Sequence, residues 1–97
     1  MKILAIDRFL EGTRLEKVQP HLKDEMKVSW KHYKEGYIRE WYFRQDIPGV
    51  VLIMECESLD EARSLTDEFP LVKEGLIKFD LIPLGPFEPL EALLNLK

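Results

Sequence analysis

The sequence predicts an α+β domain of the ferredoxin-like kind, β-α-β-β-α-β, whose four-stranded antiparallel sheet carries both helices on one face. Three observations predict it. Tyr37–Arg44 is rich in aromatic and β-branched residues, which suit a pleated, half-buried surface. Ile47-Pro48-Gly49-Val50 supplies a turn, with proline presetting φ at the second position and glycine accepting positive φ at the third, as type II requires. Val50–Cys56 is then the returning strand, and Ser58-Leu59-Asp60-Glu61 follows at once as a capping box that opens a helix. A hairpin set tightly between two helices leaves few other architectures.

The remaining elements fall in order along the chain. Lys2 to Phe9 reads as a first strand, apolar with charges at its end, and Glu11-Gly12-Thr13 breaks it. Residues 14–19 are ambiguous, because Pro20 inside a helix would remove an N–H and clash with the preceding turn. The first full helix is therefore expected to start near Pro20, where proline suits the first position. It runs to about Glu35, with Gly36 as its left-handed cap. Ser58 to Phe69 is the second helix, bounded by Pro70, and Leu71–Gly75 is a connecting turn. Ile77–Ile82 alternates with period two and forms the fourth strand. Pro83, Pro86 and Pro89 punctuate a tail in which Leu90 to Leu96 has the composition of a short apolar helix.

Ninety-seven residues make one domain, 1–97, near the size at which oligomerisation adds needed burial. A net charge of -4, with bases interleaved among acids, argues against a nucleic-acid partner. No run approaches the roughly 20 apolar residues of a membrane span. The single cysteine, Cys56, rules out an internal disulfide and fits a reducing compartment. With charge arriving too early for a signal peptide, a cytoplasmic location is expected.

The third strand is apolar on both sides: Val50, Leu52, Met54 and Cys56 on one, Val51 and Ile53 with Glu55 on the other. Tyr37, Trp41 and Phe43 add to the excess. One sheet face is covered by helices, so the other calls for a second sheet, and a face-to-face homodimer is expected. A ligand cleft in a monomer is the alternative. The tail 84–97, with Leu84, Phe87, Leu90, Leu93 and Leu94, is expected to pack on a partner subunit and to help close larger rings.

A helical wheel places Leu22, Met26, Ser29 and Tyr33 on one stripe, read as the core face of the first helix. Glu25 lies on its edge. There a carboxylate is either partly desolvated, which raises its pKa toward that of a useful base, or reaches water as an ordinary boundary residue. His21 and Glu25 have a one-face spacing, but a metal site needs three or four ligands and no second cluster accompanies them. His32 reads as a surface histidine or as an acid–base partner. Arg39, Glu40, Arg44 and Glu55 are charges within strands, expected in cross-strand ion pairs unless an arginine lines a cleft. Strand alternation puts Arg39 with Trp41 and Phe43, a combination that suits a pocket wall or a dimer contact. Cys56 reads as a core residue.

Several segments resemble the muconolactone delta-isomerase-like family. They are Lys34-Glu35-Gly36-Tyr37-Ile38-Arg39-Glu40, Val51-Leu52-Ile53-Met54-Glu55, Ser58-Leu59-Asp60-Glu61-Ala62-Arg63, and Phe69-Pro70-Leu71-Val72 with Ile82-Pro83-Leu84-Gly85-Pro86-Phe87. The resemblance covers roughly residues 20 to 90. It implies a dimeric α+β barrel, akin to the YCII-like proteins, and proton transfer beside a lactone carbonyl with no cofactor. That chemistry needs a base and a group that stabilises an enolate-like oxygen. Glu25 and Arg39 stand at matching positions and are the expected catalytic residues, with His32, Trp41 and Phe43 expected to contact substrate. A non-catalytic binding or assembling dimer of the same fold is the other reading. Heme or oxygenase chemistry lacks an axial-ligand signal.

Overall fold

The computed structural model describes residues 1–94, with Glu91 described by its backbone alone. Four strands, β1 (Lys2–Phe9), β2 (Ile38–Phe43), β3 (Val50–Glu55) and β4 (Ile77–Leu84), form one antiparallel sheet in the order β2-β3-β1-β4. Helices α1 (Leu15–Val18), α2 (Leu22–Lys34), α3 (Leu59–Thr66), α4 (Pro70–Lys73) and α5 (Glu88–Leu94) complete the chain. This is the α+β ferredoxin-like fold the sequence predicts. Leu96, expected in the last helix, lies outside the described residues, and no described helix is long and apolar enough to cross a membrane.

Alternation decides the core. Ile3 and Ala5 of β1, Leu52 and Met54 of β3, Ile38 of β2, and Ile77 and Phe79 of β4 are all buried on the helix-covered side. Leu4, Ile6, Val51 and Ile53 point to the open side and are only half-buried. Cys56 is a core residue, as its composition suggests. Pro83 closes β4 without penalty because β4 is an edge strand and an N–H can be spared there.

The ambiguous stretch resolves into α1 and a 3-10 turn over Gln19–His21, with Pro20 inside that turn, so the long helix begins two residues later than expected. Gly36 ends α2 with φ +87°, the left-handed cap foreseen. Ser58 Oγ accepts a bond from Glu61 N at 3.0 Å, while Glu61 Oε1 reaches past the cap to Glu57 N, also at 3.0 Å. The capping box is thus present but displaced by one residue on its return arm.

Three expectations fail. Gly49 does not adopt positive φ, so the hairpin is not the type II turn read from Pro-Gly. Its requirement for glycine is spatial: a Cβ there would lie 2.8 Å from Asp7 Oδ1. The second failure is the rotation of α2. Leu22, Met26 and Tyr33 are 42 %, 55 % and 42 % exposed, while Glu25 and His32 face the sheet and are buried. Relative to the predicted stripe, the helix is turned by about a quarter turn, at roughly 100° per residue. The third is strand phase. Ile38 pairs with Met54 and Glu40 with Ile53, so Arg39 is the extra residue of a β-bulge. Beyond it, Trp41 and Phe43 face the helix side while Glu40 and Tyr42 pair with open-side residues. The simple alternation that grouped Arg39 with Trp41 and Phe43 does not hold across the bulge.

Candidate functional site

The polar residues that the fold draws inward gather where β1 ends and β3 begins. On β1 the buried series Ile3, Ala5 continues at Asp7, which is 7 % exposed. Its Oδ1 accepts the Val50 N–H at 2.8 Å, and Gly49 leaves room for that contact. From α2, Glu25 reaches the same region, 6 % exposed, and its Oε1 accepts the Leu71 N–H at 2.8 Å in the first turn of α4. Arg44, just past β2, aligns its guanidinium on Asp46, with Nε–Oδ1 at 3.0 Å and Nη2–Oδ2 at 2.6 Å, and its field also acts on Asp7.

Burial sets the electrostatics. Removal from water disfavours the charged carboxylate and lifts Glu25 from 4.5 to about 7; the Leu71 N–H opposes the rise, and the nearby Asp7 charge adds to it. Asp7 is also raised by burial, an effect moderated by the Val50 N–H and Arg44. In contrast, the exposed Asp46 is held at about 2 by its bond to Arg44. The arrangement therefore offers a carboxyl that exchanges its proton near neutrality beside a second carboxyl, with an arginine at the margin. Such a group can act as base or acid without a metal.

An aromatic cluster lies on the exposed side of α2 against β2. Tyr33 meets Trp41 edge to face at 4.6 Å between centroids and stacks on Trp30 at 5.6 Å. Trp41 and Phe43, expected to contact substrate, are 44 % and 74 % exposed on the helix side of β2.

Glu25 and Arg39 are not brought together. Arg39 Nε donates to Gly36 O at 2.8 Å, at the far end of α2, roughly 16 Å from Glu25 along the helix. There it borders an open hollow of about 350 Å3 with Met1, Tyr37, Glu55, Cys56 and Glu61. The bulge and the length of α2 separate the two residues. His32 is neither a surface residue nor at Glu25's end. It is fully buried, its Nε2 is 3.0 Å from Leu65 O, and Phe69 and Tyr37 meet its ring edge-on. His21 is half-buried in the 3-10 turn.

The expected cross-strand pairs among the strand charges do not form. Glu55 binds the N-terminal amine at 2.7 Å, Arg44 binds Asp46, and Glu40 accepts the Tyr42 hydroxyl. Arg44 and Glu40 find partners two residues away and Glu55 finds the first residue of the chain, while among the described residues Arg8 and Asp80 form a cross-strand pair at 3.0 Å. Asp7 is the member of the cluster that sequence reasoning passed over, and Arg44 is read from sequence only as one of the strand charges. The signal for Asp7 was its phase, a carboxylate in register with Ile3 and Ala5.

No protein-family model matches the chain, and no curated protein matches its sequence. Among solved structures it is similar to 5-chloro-2-hydroxyhydroquinone dehydrochlorinase of Burkholderia phenoliruptrix AC1100, determined in complex with 2,5-dihydroxybenzoquinone. The TM-score is 0.59 at 22 % identity, over 92 % of this chain and 98 % of that one. The likeness supports the fold class.

Proposed function

We propose that the chain is a cofactor-independent enzyme, kin to the muconolactone delta-isomerase-like proteins, that moves a proton on a small lactone or related carbonyl compound. The observation that carries the reading is Glu25: an inward-facing carboxyl, 6 % exposed and held by one backbone N–H, that titrates near 7. A base at that pKa is half ionised at neutral pH and able to take a proton from carbon beside a carbonyl and return it elsewhere. Asp7 is placed to keep that pKa high. Trp41 and Phe43 offer flat apolar surface to a ring substrate. Arg44 supplies the positive charge on Glu25's side, whereas Arg39 would act on a molecule held in the separate hollow. The neighbour's complex with a dihydroxybenzoquinone favours oxygenated six-membered rings as the first compounds to try. The chain is further proposed to work as a homodimer with its open sheet faces together, covering Leu4, Ile6, Val51 and Ile53, and to reside in the cytoplasm.

The second reading is a non-catalytic dimer of the same fold. What favours it is the Leu71 bond, which lets Glu25 serve to fix the first turn of α4.

Deuterium uptake by lactones and hydroxyquinones in D2O, followed by NMR with wild type and Glu25→Gln, separates the two. Exchange lost in the variant, with Glu25 titrating near 7, is the expected result. Equal exchange in both proteins removes Glu25 as the base. No exchange across the panel together with a Glu25 pKa near 4.5 leaves only the non-catalytic dimer.

A further inference from the structure

Two buried polar side chains of α2, Glu25 and His32, meet the break between α3 and α4. They stand seven residues apart, nearly two full turns, so they share one line of the helix. A helix leaves its last carbonyls and its first N–H groups without regular internal partners. Leu65 O, in the last turn of α3, receives the Glu68 N–H at 3.2 Å, and His32 Nε2 comes to it at 3.0 Å. Leu71 N, in the first turn of α4, donates to Glu25 Oε1 at 2.8 Å. Between the two bonds, Phe69 meets the His32 ring edge-on, with 5.7 Å between centroids. One face of α2 thus splints the α3–α4 junction on both sides.

A carbonyl can only accept, so the hydrogen sits on His32 Nε2. Nδ1 is then left buried with no partner among the described residues. The charged groups at this seam do not compete for the ring. Glu68 Oε1 is 3.9 Å from Nε2, beyond hydrogen-bond reach, and turns to Lys31 Nζ at 3.3 Å. A leucine would fill the same space without an orphaned nitrogen, so packing alone does not account for a histidine here. The rotation of α2 makes the same point. Its apolar stripe of Leu22, Met26 and Tyr33 lies outward, whereas burial of apolar surface within the chain would favour turning that stripe inward. The two polar bonds hold the helix as it is, a use of buried polarity to select one arrangement.

We infer that His32 is the positioning residue for Glu25: its bond to Leu65 O fixes the rotation of α2 that turns the Glu25 carboxyl inward to the Leu71 N–H. This rests on the reading of Glu25 as the base. It gives His32 a place in the site's construction without contact to substrate.

The test follows the Glu25 carboxyl by carbon-13 NMR across pH in the wild type, His32→Leu and His32→Gln. The readout needs no substrate, so it stands apart from any search for turnover. Leucine fills the core but offers Leu65 O no donor; glutamine carries an amide N–H at a comparable distance from the backbone. Glu25 is expected to titrate near 7 in the wild type. In His32→Leu its midpoint should fall by about one pH unit or more, at least a tenfold loss of proton affinity, and His32→Gln should restore it. A midpoint near 7 in all three proteins overturns the role of His32 and leaves Glu25 as the base. An equal fall in both variants assigns the effect to the shape of the ring and overturns the bond as its cause. A wild-type midpoint at about 4.5 overturns the base and its positioning together. Nitrogen-15 NMR of the wild-type ring tests the bond with no variant that must fold: a hydrogen on Nε2 is expected, and a bare Nε2 overturns the proposal.

Discussion

At the scale of single residues, Glu25 and Gly49 carry the strongest consequences. Glu25 titrates at 4.5 in the unfolded chain and at about 7 in the folded one. Below pH 4.5 both states hold the proton. As pH rises from 4.5 to 7 the unfolded state releases it first, so the folded state loses stability across that window. The span corresponds to about 3 kcal/mol, with Asp7 acting in the same sense. Glu25→Gln keeps an acceptor for Leu71 N–H and removes the ionisation. Denaturant melts at pH 5 and pH 7.5 should show the wild type weakening by about 1–3 kcal/mol and the variant nearly level. Equal slopes in the two proteins would contradict the raised pKa. Gly49→Ala sets a methyl group against Asp7 Oδ1 at 2.8 Å and breaks its bond to Val50 N. A loss of about 1–2 kcal/mol is expected, from overpacking and an unpaired buried carboxylate. Asp7→Asn/Gly49→Ala should cost less than the sum of its parts, which a double-mutant cycle measures. The Asp7–Gly49 contact was illegible in sequence because it joins residues 42 apart. Pro48-Gly49 read alone gave the wrong reason for the glycine.

At the scale of elements, local rules served α3 well and α2 badly. Ser58 caps α3 with its own side chain, so Ser58→Ala should cost about 1 kcal/mol in a chemical-denaturation curve, with no change in the titration of Glu25. The same sequence logic assigned α2's apolar stripe to the core. Leu22, Met26 and Tyr33 do form that stripe, but it lies outward, and the inward stripe is the one with Glu25, Val28 and His32. A helical wheel shows that a helix has an apolar face; it is silent on whether that face meets its own sheet or another molecule. In β2 the bulge at Arg39 had the same effect on a smaller scale. One added residue reverses the phase of everything after it, and the grouping of Arg39 with Trp41 and Phe43 fell with that reversal.

At the scale of the whole molecule, the proposed dimer makes folding stability depend on concentration. Thermal midpoints should rise as protein concentration rises, and Ile53→Asp should flatten that dependence by placing a charge on the open face. A midpoint independent of concentration in the wild type would speak for a monomer. The sequence by itself determined the element order, the apolar character of both faces of β3 and the position of the α2 cap. These rest on periodicity, capping and turn residues, all of them interactions between near neighbours. It also singled out Glu25, because a carboxylate at the border of an apolar stripe is conspicuous wherever the stripe points. Only the tertiary structure decided that Glu25 turns inward beside Asp7 and that Arg39 stands at the other end of α2. It likewise buried His32 beneath α3 and left the tryptophans outside. Those outcomes follow from the rotation of a helix on a sheet and the register of two strands, which are set by packing between segments far apart in the chain.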